Sequence, residues 1–501
     1  MGCGLFIGAK AVAIPKTEQW GVQEIMLRGT AAGNPYVDVS LGAEFTLGSH
    51  HLTVPGFYDG NGIYRIRFSP DQLGTWAFVT KCNLAELNDR HGSFECIPPA
   101  RNNHGPVRIV NTFYLEYADG TPFYSVGTTA YQWTSVKQSI QEQTLATLAG
   151  SPFNKIRMAV FPKSYKYGND TEPWQYPFVS SVDLARPNYD FFQNFDRRVR
   201  QLLELGIQAD VILFHPYDRW GYLTMGRENN ARYVRYMIAR ISAYRNVWWS
   251  LANEWNIPRI KDEIDWEEIG SILRQEDPHQ RLRSIHNWNG SEENFYDHTR
   301  PWVTHVSMQT SQFYNAIKWR DRYGKPLLFD EMRYEGDVPS GWGSLPAEDM
   351  VSYFWMAGLS GGYGMHGETF RNNADRETEV RWWAKGGLLV GRSPIRIAFF
   401  KFFMESLPVK EMTPTLVDNG DPKELGSNVY TFAKGGEVYV SYVRNENTTI
   451  NLKLTGDKPY ELTLIDTWNM TESPKIQVQT GPFSYTTRNR YEAICLRSKQ
   501  D

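Results

Sequence analysis

The sequence predicts an α/β fold in which a (β/α)₈ TIM barrel is flanked by an N-terminal and a C-terminal β-sandwich. The chain has 501 residues, which is too long for one hydrophobic core. Short alternating strands occupy both ends, while the middle alternates apolar strands with longer amphipathic stretches. We therefore place the three domains at residues 1–105, 106–408 and 409–501.

The first domain is predicted from period-two patterning between about Glu18 and Pro99. Segments such as EIMLRGT, AEFTLGS and GTWAFVTKC place apolar side chains at alternate positions, as strands with one buried face do. The run Asp59-Gly60-Asn61-Gly62 is a strong turn signal. The size and strand spacing are typical of an immunoglobulin-like sandwich.

The middle domain contains eight candidate strands separated by stretches that mostly have helical periodicity. The strands are expected at 123–130, 153–161, 209–216, 246–254, 281–288, 303–310, 325–331 and 361–368. Eight strand–helix units in about 300 residues fit a (β/α)₈ barrel. A doubly wound sheet would more often carry a glycine-rich phosphate loop after its first strand, and GTTAYQW is not such a loop.

The third domain is predicted from the return of short strands after about Thr413. The Gly435-Gly436 pair between NVYTFAK and EVYVSYV indicates a hairpin turn. Alternating strands continue to the end of the chain and form a second, smaller sandwich.

Composition narrows the classes of function. The formal net charge is −3 and no basic run stands out, which argues against nucleic-acid or anionic-membrane binding. The 17 Trp and 28 Tyr suit a protein that stacks on sugar rings, although aromatic side chains also fill cores. The four cysteines lack zinc spacing, and Cys82 and Cys96 are either paired or free. We expect no metal and no cofactor.

The N-terminus and the absence of long apolar runs bear on location. MGCGLFIGAKAVAIP has neither a basic n-region followed by a cleavage site nor a myristoylation motif, and no run reaches membrane-spanning length. The sequence therefore favours a soluble, cytoplasmic protein and leaves a secreted or periplasmic location, and a homo-oligomer, open.

Two predicted barrel strands end in carboxylates. The fourth closes on Asn253-Glu254 and the seventh on Asp330-Glu331. In such barrels functional side chains project from the carboxyl ends of the strands. Glycosidic cleavage needs two carboxyl groups, one to protonate the leaving oxygen and one to attack carbon or activate water. Asp330 and Glu335 compete with Glu331, but Asp330 should face the other side of the strand and Glu335 lies beyond it.

These strand ends resemble those of glycoside hydrolase clan A, whose members carry Asn-Glu after strand four and Glu after strand seven. The two flanking segments resemble the sandwich modules of apiosidase-like (DUF4038-type) members. The resemblance implies that Glu254 is the acid/base and Glu331 the nucleophile, in an enzyme that retains anomeric configuration. It also implies that Asn253 binds the hydroxyl beside the anomeric carbon and that Arg157 lies near the nucleophile, both helping to keep it charged.

Further strand-end residues are candidates for substrate binding, each with a structural alternative. Arg157 could be an ion-pair partner, His215 a satisfied structural histidine, Trp288 a packed side chain, and Glu368 a partner of Arg371. The remaining candidates come from strands one, six and eight: Tyr131, Trp133, Gln309, Tyr314 and His366.

The predicted function is a retaining glycoside hydrolase that acts on an oligosaccharide or glycoside. We favour exo action on β-linked pyranosides or on furanosides of plant or microbial glycans. A catalytically inactive carbohydrate-binding protein and a transglycosylase are the alternatives. Keeping both Glu254 and Glu331 argues against the first, and product analysis would separate the second.

Overall fold

The computed structural model describes residues 14–164, 172–180, 183–257, 261–337, 341–367, 369–370, 385–417 and 428–499. The N-terminal part contains seven strands and one short helix: β1 Lys16–Glu18, β2 Gln23–Arg28, α1 Pro35–Asp38, β3 Leu41–Leu47, β4 His50–Tyr58, β5 Ile63–Phe68, β6 Gly74–Cys82 and β7 His91–Ile97. They form one sheet in the order β1-β7-β6-β3-β4-β5-β2, antiparallel except at the β1–β7 edge. The predicted turn at 59–62 joins β4 to β5, and its Gly60 and Gly62 have φ of +88° and +72°, values that favour glycine.

The middle part starts with a hairpin and continues with alternating strands and helices. The elements are β8 Val107–Val110, β9 Tyr114–Tyr117, β10 Gly127–Thr129, α2 Gln138–Ala149, β11 Lys155–Ala159, α3 Tyr189–Glu204, β12 Gln208–Phe214, α4 Arg227–Ile241, β13 Val247–Ala252, α5 Glu263–Glu276, β14 Arg283–Ser284, β15 Val306–Gln309, α6 Ala316–Tyr323, β16 Leu327–Glu331, β17 Glu335–Gly336, α7 Ala347–Leu359, β18 Tyr363–Gly364, β19 Thr369–Phe370 and α8 Ser393–Glu405. Short 3₁₀ helices lie at Trp133–Ser135, Tyr222–Thr224, Glu292–Asn294 and Phe313–Asn315.

Eight of these strands are parallel and pair in chain order. Strands β10 to β14 form one sheet, and β15, β16 and β18 form another. Parallel bridges join the two sheets at both edges, from His286 to Ser307 and from Gly127 to Met365. The pairing therefore runs from the first of the eight strands to the last and returns to the first.

Each of the eight strands lies within a predicted segment or overlaps it, but β14 and β18 are only two residues long. Among the described residues, the pairing of β14 with β15 and of β18 with β10 consists of one isolated bridge each. Few backbone hydrogen bonds therefore extend these two strands. Between β14 and β15 the described chain forms a 3₁₀ helix, Glu292–Asn294, in place of an α-helix.

The C-terminal part is built from strands, as predicted: β20 Thr413–Val417, β21 Val429–Lys434, β22 Val438–Val443, β23 Thr449–Leu454, β24 Tyr460–Asp466, β25 Thr471–Glu472, β26 Ile476–Val478, β27 Gly481–Thr486 and β28 Glu492–Ser498. A seven-stranded sheet has the order β20-β21-β22-β28-β24-β25, with β26 also on β24, and β23 pairs separately with β27. The Gly435-Gly436 turn joins β21 to β22, which confirms the predicted hairpin.

Aromatic and arginine contacts join the C-terminal sheet to the middle part. Trp355 on α7 stacks on Tyr442 with ring centroids 5.8 Å apart. The Tyr442 hydroxyl donates to Ser352 Oγ at 2.8 Å. Arg396 on α8 lies 3.6 Å from the Trp468 ring centroid. These contacts fix α7 and α8 against the sheet.

Buried ion pairs join the N-terminal sheet to helices α3 and α4. Arg240 Nη2 lies 2.6 Å from Asp196 Oδ2, and Arg240 Nη1 lies 2.9 Å from Asp59 Oδ1. Arg67 of β5 also pairs with Asp196, at 2.7 Å. All four side chains are buried. Removing one arginine would therefore leave a buried carboxylate with too little positive charge nearby to stabilise it.

We predict that Arg240→Met lowers the free energy of unfolding by about 3–5 kcal/mol, because Asp59 and Asp196 stay buried with fewer cationic partners. Urea unfolding followed by tryptophan fluorescence measures the change. The matched control is Arg235→Met on the same helix, whose pair with Glu276 is exposed and should contribute about 0–1 kcal/mol. Equal losses in the two variants would contradict this account of the interface.

Three further findings bear on the sequence-based expectations. Cys82 and Cys96 are free thiols, so the disulfide alternative is not realised. Within the described ranges, no helix has the length and apolar character needed to cross a membrane. The same ranges contain no group of three His, Cys, Asp or Glu side chains that could hold a metal ion.

Candidate active site

The carboxyl ends of the parallel strands converge on one group of buried polar side chains. Tyr131 follows β10, Glu254 follows β13, Gln309 ends β15 and Glu331 ends β16. Hydrogen bonds connect all four side chains. The two glutamates singled out by the sequence therefore lie in the same site.

Glu254 occupies a tight turn after β13 and is 4% exposed. Its φ of +53° is in the left-handed region, which residues other than glycine adopt uncommonly. Hydrogen bonds from Asn253 N to Phe214 O and from Trp255 N to His286 O hold the backbone on both sides. The Tyr217 hydroxyl donates to Glu254 Oε2.

The surroundings of Glu254 favour its protonated form. Burial, followed by the charge of Glu331, raises the pKa of Glu254 to about 8. The Tyr217 hydrogen bond and the positive charges of Lys163 and Arg157 act in the opposite direction. At neutral pH these surroundings therefore favour the protonated carboxyl group.

Glu331 is equally buried but accepts hydrogen bonds on both oxygens. Trp342 Nε1 donates to Oε1 at 2.9 Å, and the Tyr131 hydroxyl donates to Oε2 at 3.1 Å. His286 Nε2 lies 4.0 Å from Oε2. Both carboxyl oxygens of Glu331 therefore have a hydrogen-bond donor, and these contacts fix the side chain.

Gln309 connects the two carboxyl groups. With one orientation of its amide, Nε2 donates to Glu331 Oε1 at 3.3 Å. With the other, the nitrogen donates to Glu254 Oε1 at 3.2 Å and to Asn287 O at 3.1 Å. In either orientation one amide atom faces each carboxyl group, so the Gln309 side chain contacts both Glu254 and Glu331.

A buried cluster of charges underlies this site. Lys155 Nζ lies 2.6 Å from Asp330 Oδ1 and 3.0 Å from Asp210 Oδ2. Arg157 Nε lies 3.7 Å from Asp210 Oδ2. The Arg157 nitrogens have no hydrogen-bond partner among the described residues. Asp330 is thus held by Lys155 and Ser307, which removes it as a competitor for the role of Glu331.

Glu335, the other alternative to Glu331 as nucleophile, is hydrogen-bonded to the N-terminus of helix α8. It accepts hydrogen bonds from the backbone nitrogens of Arg392 and Ser393 at 2.7 and 3.2 Å, so it caps the N-terminus of that helix. His366 Nε2 lies 3.8 Å from Glu335 Oε2. His366 is therefore placed beside the cap and is fully buried.

Comparison with known proteins identifies the family of the chain. Residues 110–382 match the profile of the apiosidase-like catalytic domain. The chain belongs to the apiosidase-like family. It is a glycoside hydrolase, and its substrate is a carbohydrate. Residues 16–83 match a domain of unknown function, DUF5060. No curated protein matches the chain.

Solved structures similar to this apiosidase-like hydrolase include a Bacteroides vulgatus protein provisionally assigned as a glycoside hydrolase. It is 34% identical with a TM-score of 0.86, and the match covers 97% of this chain and all of that one. A glycoside hydrolase family 5 protein from Bacteroides vulgatus is 15% identical with a TM-score of 0.63, over 79% and 94% of the two chains. A further glycoside hydrolase is 14% identical with a TM-score of 0.64, over 79% and 98%.

The other residues predicted to bind substrate differ in how accessible they are to a ligand. Asn253 is buried and its Oδ1 has no hydrogen-bond partner among the described residues, so it can accept one from a ligand. Trp288 is 46% exposed and Tyr314 is half-buried, as residues that line a binding cleft are. Trp133 is instead fully buried, in the same apolar core as strands β11 to β13.

His215 has a structural position. Its Nε2 lies 3.1 Å from Phe161 O, and its Nδ1 accepts from Tyr217 N at 3.2 Å. Burial lowers the pKa of His215 to about 4, so the ring is neutral. These contacts make His215 a support for the loop that carries Tyr217. Glu368 and its suggested partner Arg371 lie outside the described residues.

Several residues of the site were not anticipated from the sequence. Tyr217, Trp342, Lys163 and His286 all contact or approach the two glutamates or their tyrosine partners. Only position offered a signal, since Tyr217, Trp342 and Lys163 follow predicted strands and His286 lies inside the one predicted at 281–288. Loop residues show no periodicity, so nothing in the pattern separated the first three from their neighbours.

Proposed function

We propose that this apiosidase-like hydrolase is a retaining enzyme, built on a (β/α)₈ barrel, with Glu254 as acid/base and Glu331 as nucleophile. The closed parallel pairing of eight strands supports the barrel. The single observation that carries the assignment is the pair of buried carboxyl groups in contrasting surroundings, bridged by Gln309. Such contrast separates the roles of acid and nucleophile.

In the first step, Glu331 attacks the anomeric carbon while Glu254 donates its proton to the leaving oxygen. The bond to the leaving group breaks as the ester bond to Glu331 forms, so the leaving alcohol departs neutral. The donors Tyr131 and Trp342 hold Glu331 in place for this attack. A retaining pair is expected about 5 Å apart, closer than an inverting pair, which leaves room for a water molecule between the carboxyl groups.

In the second step, the now ionised Glu254 takes a proton from water, and that water attacks the anomeric carbon. The bond to Glu331 breaks and the carboxylate returns to its ionised state. The Tyr217 hydroxyl and the charges of Lys163 and Arg157 stabilise ionised Glu254 at this stage. Two displacements at the same carbon give retention.

The contacts of the site also support roles for Asn253 and Arg157. The free Oδ1 of Asn253 adjoins Glu254 in the chain, where it can accept from the hydroxyl beside the anomeric carbon. Arg157 is a buried positive charge that interacts electrostatically with Glu331, which supports a role near the nucleophile.

We further propose exo action on β-linked pyranosides or on furanosides. Trp342 reaches the nucleophile from the loop after β16, which supports a cleft closed on that side. The half-exposed Trp288 after β14 offers a face for a sugar ring.

A panel of chromogenic aryl glycosides tests the function. It should contain β-pyranosides and α- and β-furanosides and be run beside the Glu331→Gln variant. We expect release from at least one glycoside and no release by the variant. Equal release by wild type and variant would refute the assignment of Glu331.

The pH dependence follows from Glu254. Since catalysis needs this carboxyl group protonated and its pKa is about 8, kcat/KM should hold below that pH. Above it, kcat/KM should fall by about tenfold per pH unit. A pH profile on a substrate with a poor leaving group measures the basic limb. A limb near 4.5, the ordinary value for glutamate, would contradict the account.

A further inference from the structure

Lys163 is a buried cation between two tyrosines of the site. It follows β11 and is 7% exposed. Its Nζ lies 4.3 Å from the ring centroid of Tyr131 and 4.5 Å from that of Tyr217. Both distances are within the range of cation–π attraction, which is stronger when the cation is removed from water.

The two tyrosines serve different carboxyl groups. Tyr131 donates to Glu331, and Tyr217 donates to Glu254. One ammonium group therefore contacts the faces of both rings whose hydroxyls hold the candidate nucleophile and the candidate acid/base. A shift of this cation would change the orientation of both hydrogen bonds together.

The backbone around Lys163 is tied to the same neighbours. Lys163 N donates to Gln132 Oε1 at 3.1 Å, beside Tyr131 in the chain. Ser164 N donates to Tyr217 O at 2.7 Å. The segment thus connects the loops after β10 and β12, which carry the two tyrosines.

We propose that Lys163 is a positioning residue for both carboxyl groups: it holds Tyr131 and Tyr217 by their faces and places a positive charge beside Glu254. The inference rests on the proposed function and deepens it. The charge assists the second step, in which Glu254 is ionised, while the tyrosines are held through both steps.

The charged and titratable groups around Glu254 come from several strand ends. Glu331 approaches from β16, Tyr217 from the loop after β12, and Arg157 and Lys163 from β11 and the loop after it. Glu331 favours the neutral form of Glu254, and the other three favour the ionised form. Removing Lys163 therefore moves the balance towards the protonated acid.

Lys163→Met removes the charge and keeps the length of the side chain, while Lys163→Arg keeps the charge. Circular dichroism confirms the fold, and Lys163→Gln replaces the methionine variant if that one does not fold. Infrared titration of the protonated carboxyl band, assigned by its loss in Glu254→Gln, needs no substrate. We expect the midpoint of Glu254 to move to higher pH in the methionine variant and to stay near the wild-type value in the arginine variant.

Kinetics on the aryl glycoside cleaved by the wild type give the second readout. We expect kcat to fall about 10- to 100-fold in Lys163→Met with little change in KM, and the arginine variant to recover most of it. An unchanged midpoint, or equal losses of kcat in the methionine and arginine variants, would overturn the proposal. Retained activity in Glu331→Gln would instead overturn the proposed function, so the two failures are distinguishable.

Discussion

Glu331→Gln is expected to abolish turnover, with kcat reduced at least about a thousandfold. The amide keeps the size of the side chain and can still accept from Trp342, while its NH2 group would donate to the Tyr131 hydroxyl, but it cannot form the ester with the anomeric carbon. Steady-state rates with an activated aryl glycoside measure the loss. The leaving group of such a substrate departs without a proton from an acid, so the rate depends on the nucleophile.

The matched control for this variant is Glu335→Gln, four positions along the chain. Glu335 is buried and hydrogen-bonded, but to the N-terminus of α8. We expect the control to lose stability and to keep its turnover within several-fold at low temperature. Turnover lost in Glu335→Gln and retained in Glu331→Gln would exchange the two roles.

Glu254→Gln is expected to lower kcat/KM by about 10²- to 10⁴-fold on substrates with poor leaving groups. The effect should shrink as the leaving group becomes more acidic, since such a group departs without a proton. The basic limb near pH 8 should disappear together with the group that titrates there. A series of aryl glycosides with graded leaving groups measures all three.

The same series of aryl glycosides can also show that Glu254 is not the acid. If the loss in Glu254→Gln were independent of the leaving group, Glu254 would act in binding or folding and not as an acid. Tyr217→Phe is a useful companion, because it removes only the hydroxyl that donates to Glu254 Oε2. It should change the basic limb and leave most of the rate.

Local patterns predicted most of the strands because hydrophobic periodicity depends on neighbouring residues alone. The hairpin at Gly435-Gly436 and the turn at Asp59–Gly62 follow from glycine positions in the same way. The shortness of β14 and β18 did not follow, since it depends on which partner strand faces each residue. That information is in the tertiary pairing and not in the segment itself.

In the candidate site, too, some residues could be predicted from local sequence and others depend on tertiary structure. Glu254 and Glu331 were found because each ends an apolar strand, and strand order brings such ends together. Arg157 was found on its strand, but its partner Asp210 required the β11–β12 register. Tyr217 and Trp342 depend on loop conformation, which composition does not determine. Trp133 and His215 were predicted as sugar contacts from position alone, which reveals neither the burial of Trp133 nor the backbone partners of His215.

The proposed mechanism requires Glu331 to form a covalent bond to the sugar. Mass spectrometry of Glu254→Gln, quenched during turnover of an activated aryl glycoside, tests it most directly. This variant lacks the base for the second step, so the intermediate should accumulate, and we predict one glycosyl mass on the peptide that contains Glu331. An unmodified peptide during continuing turnover, or a glycosyl mass on another carboxylate, would contradict the mechanism.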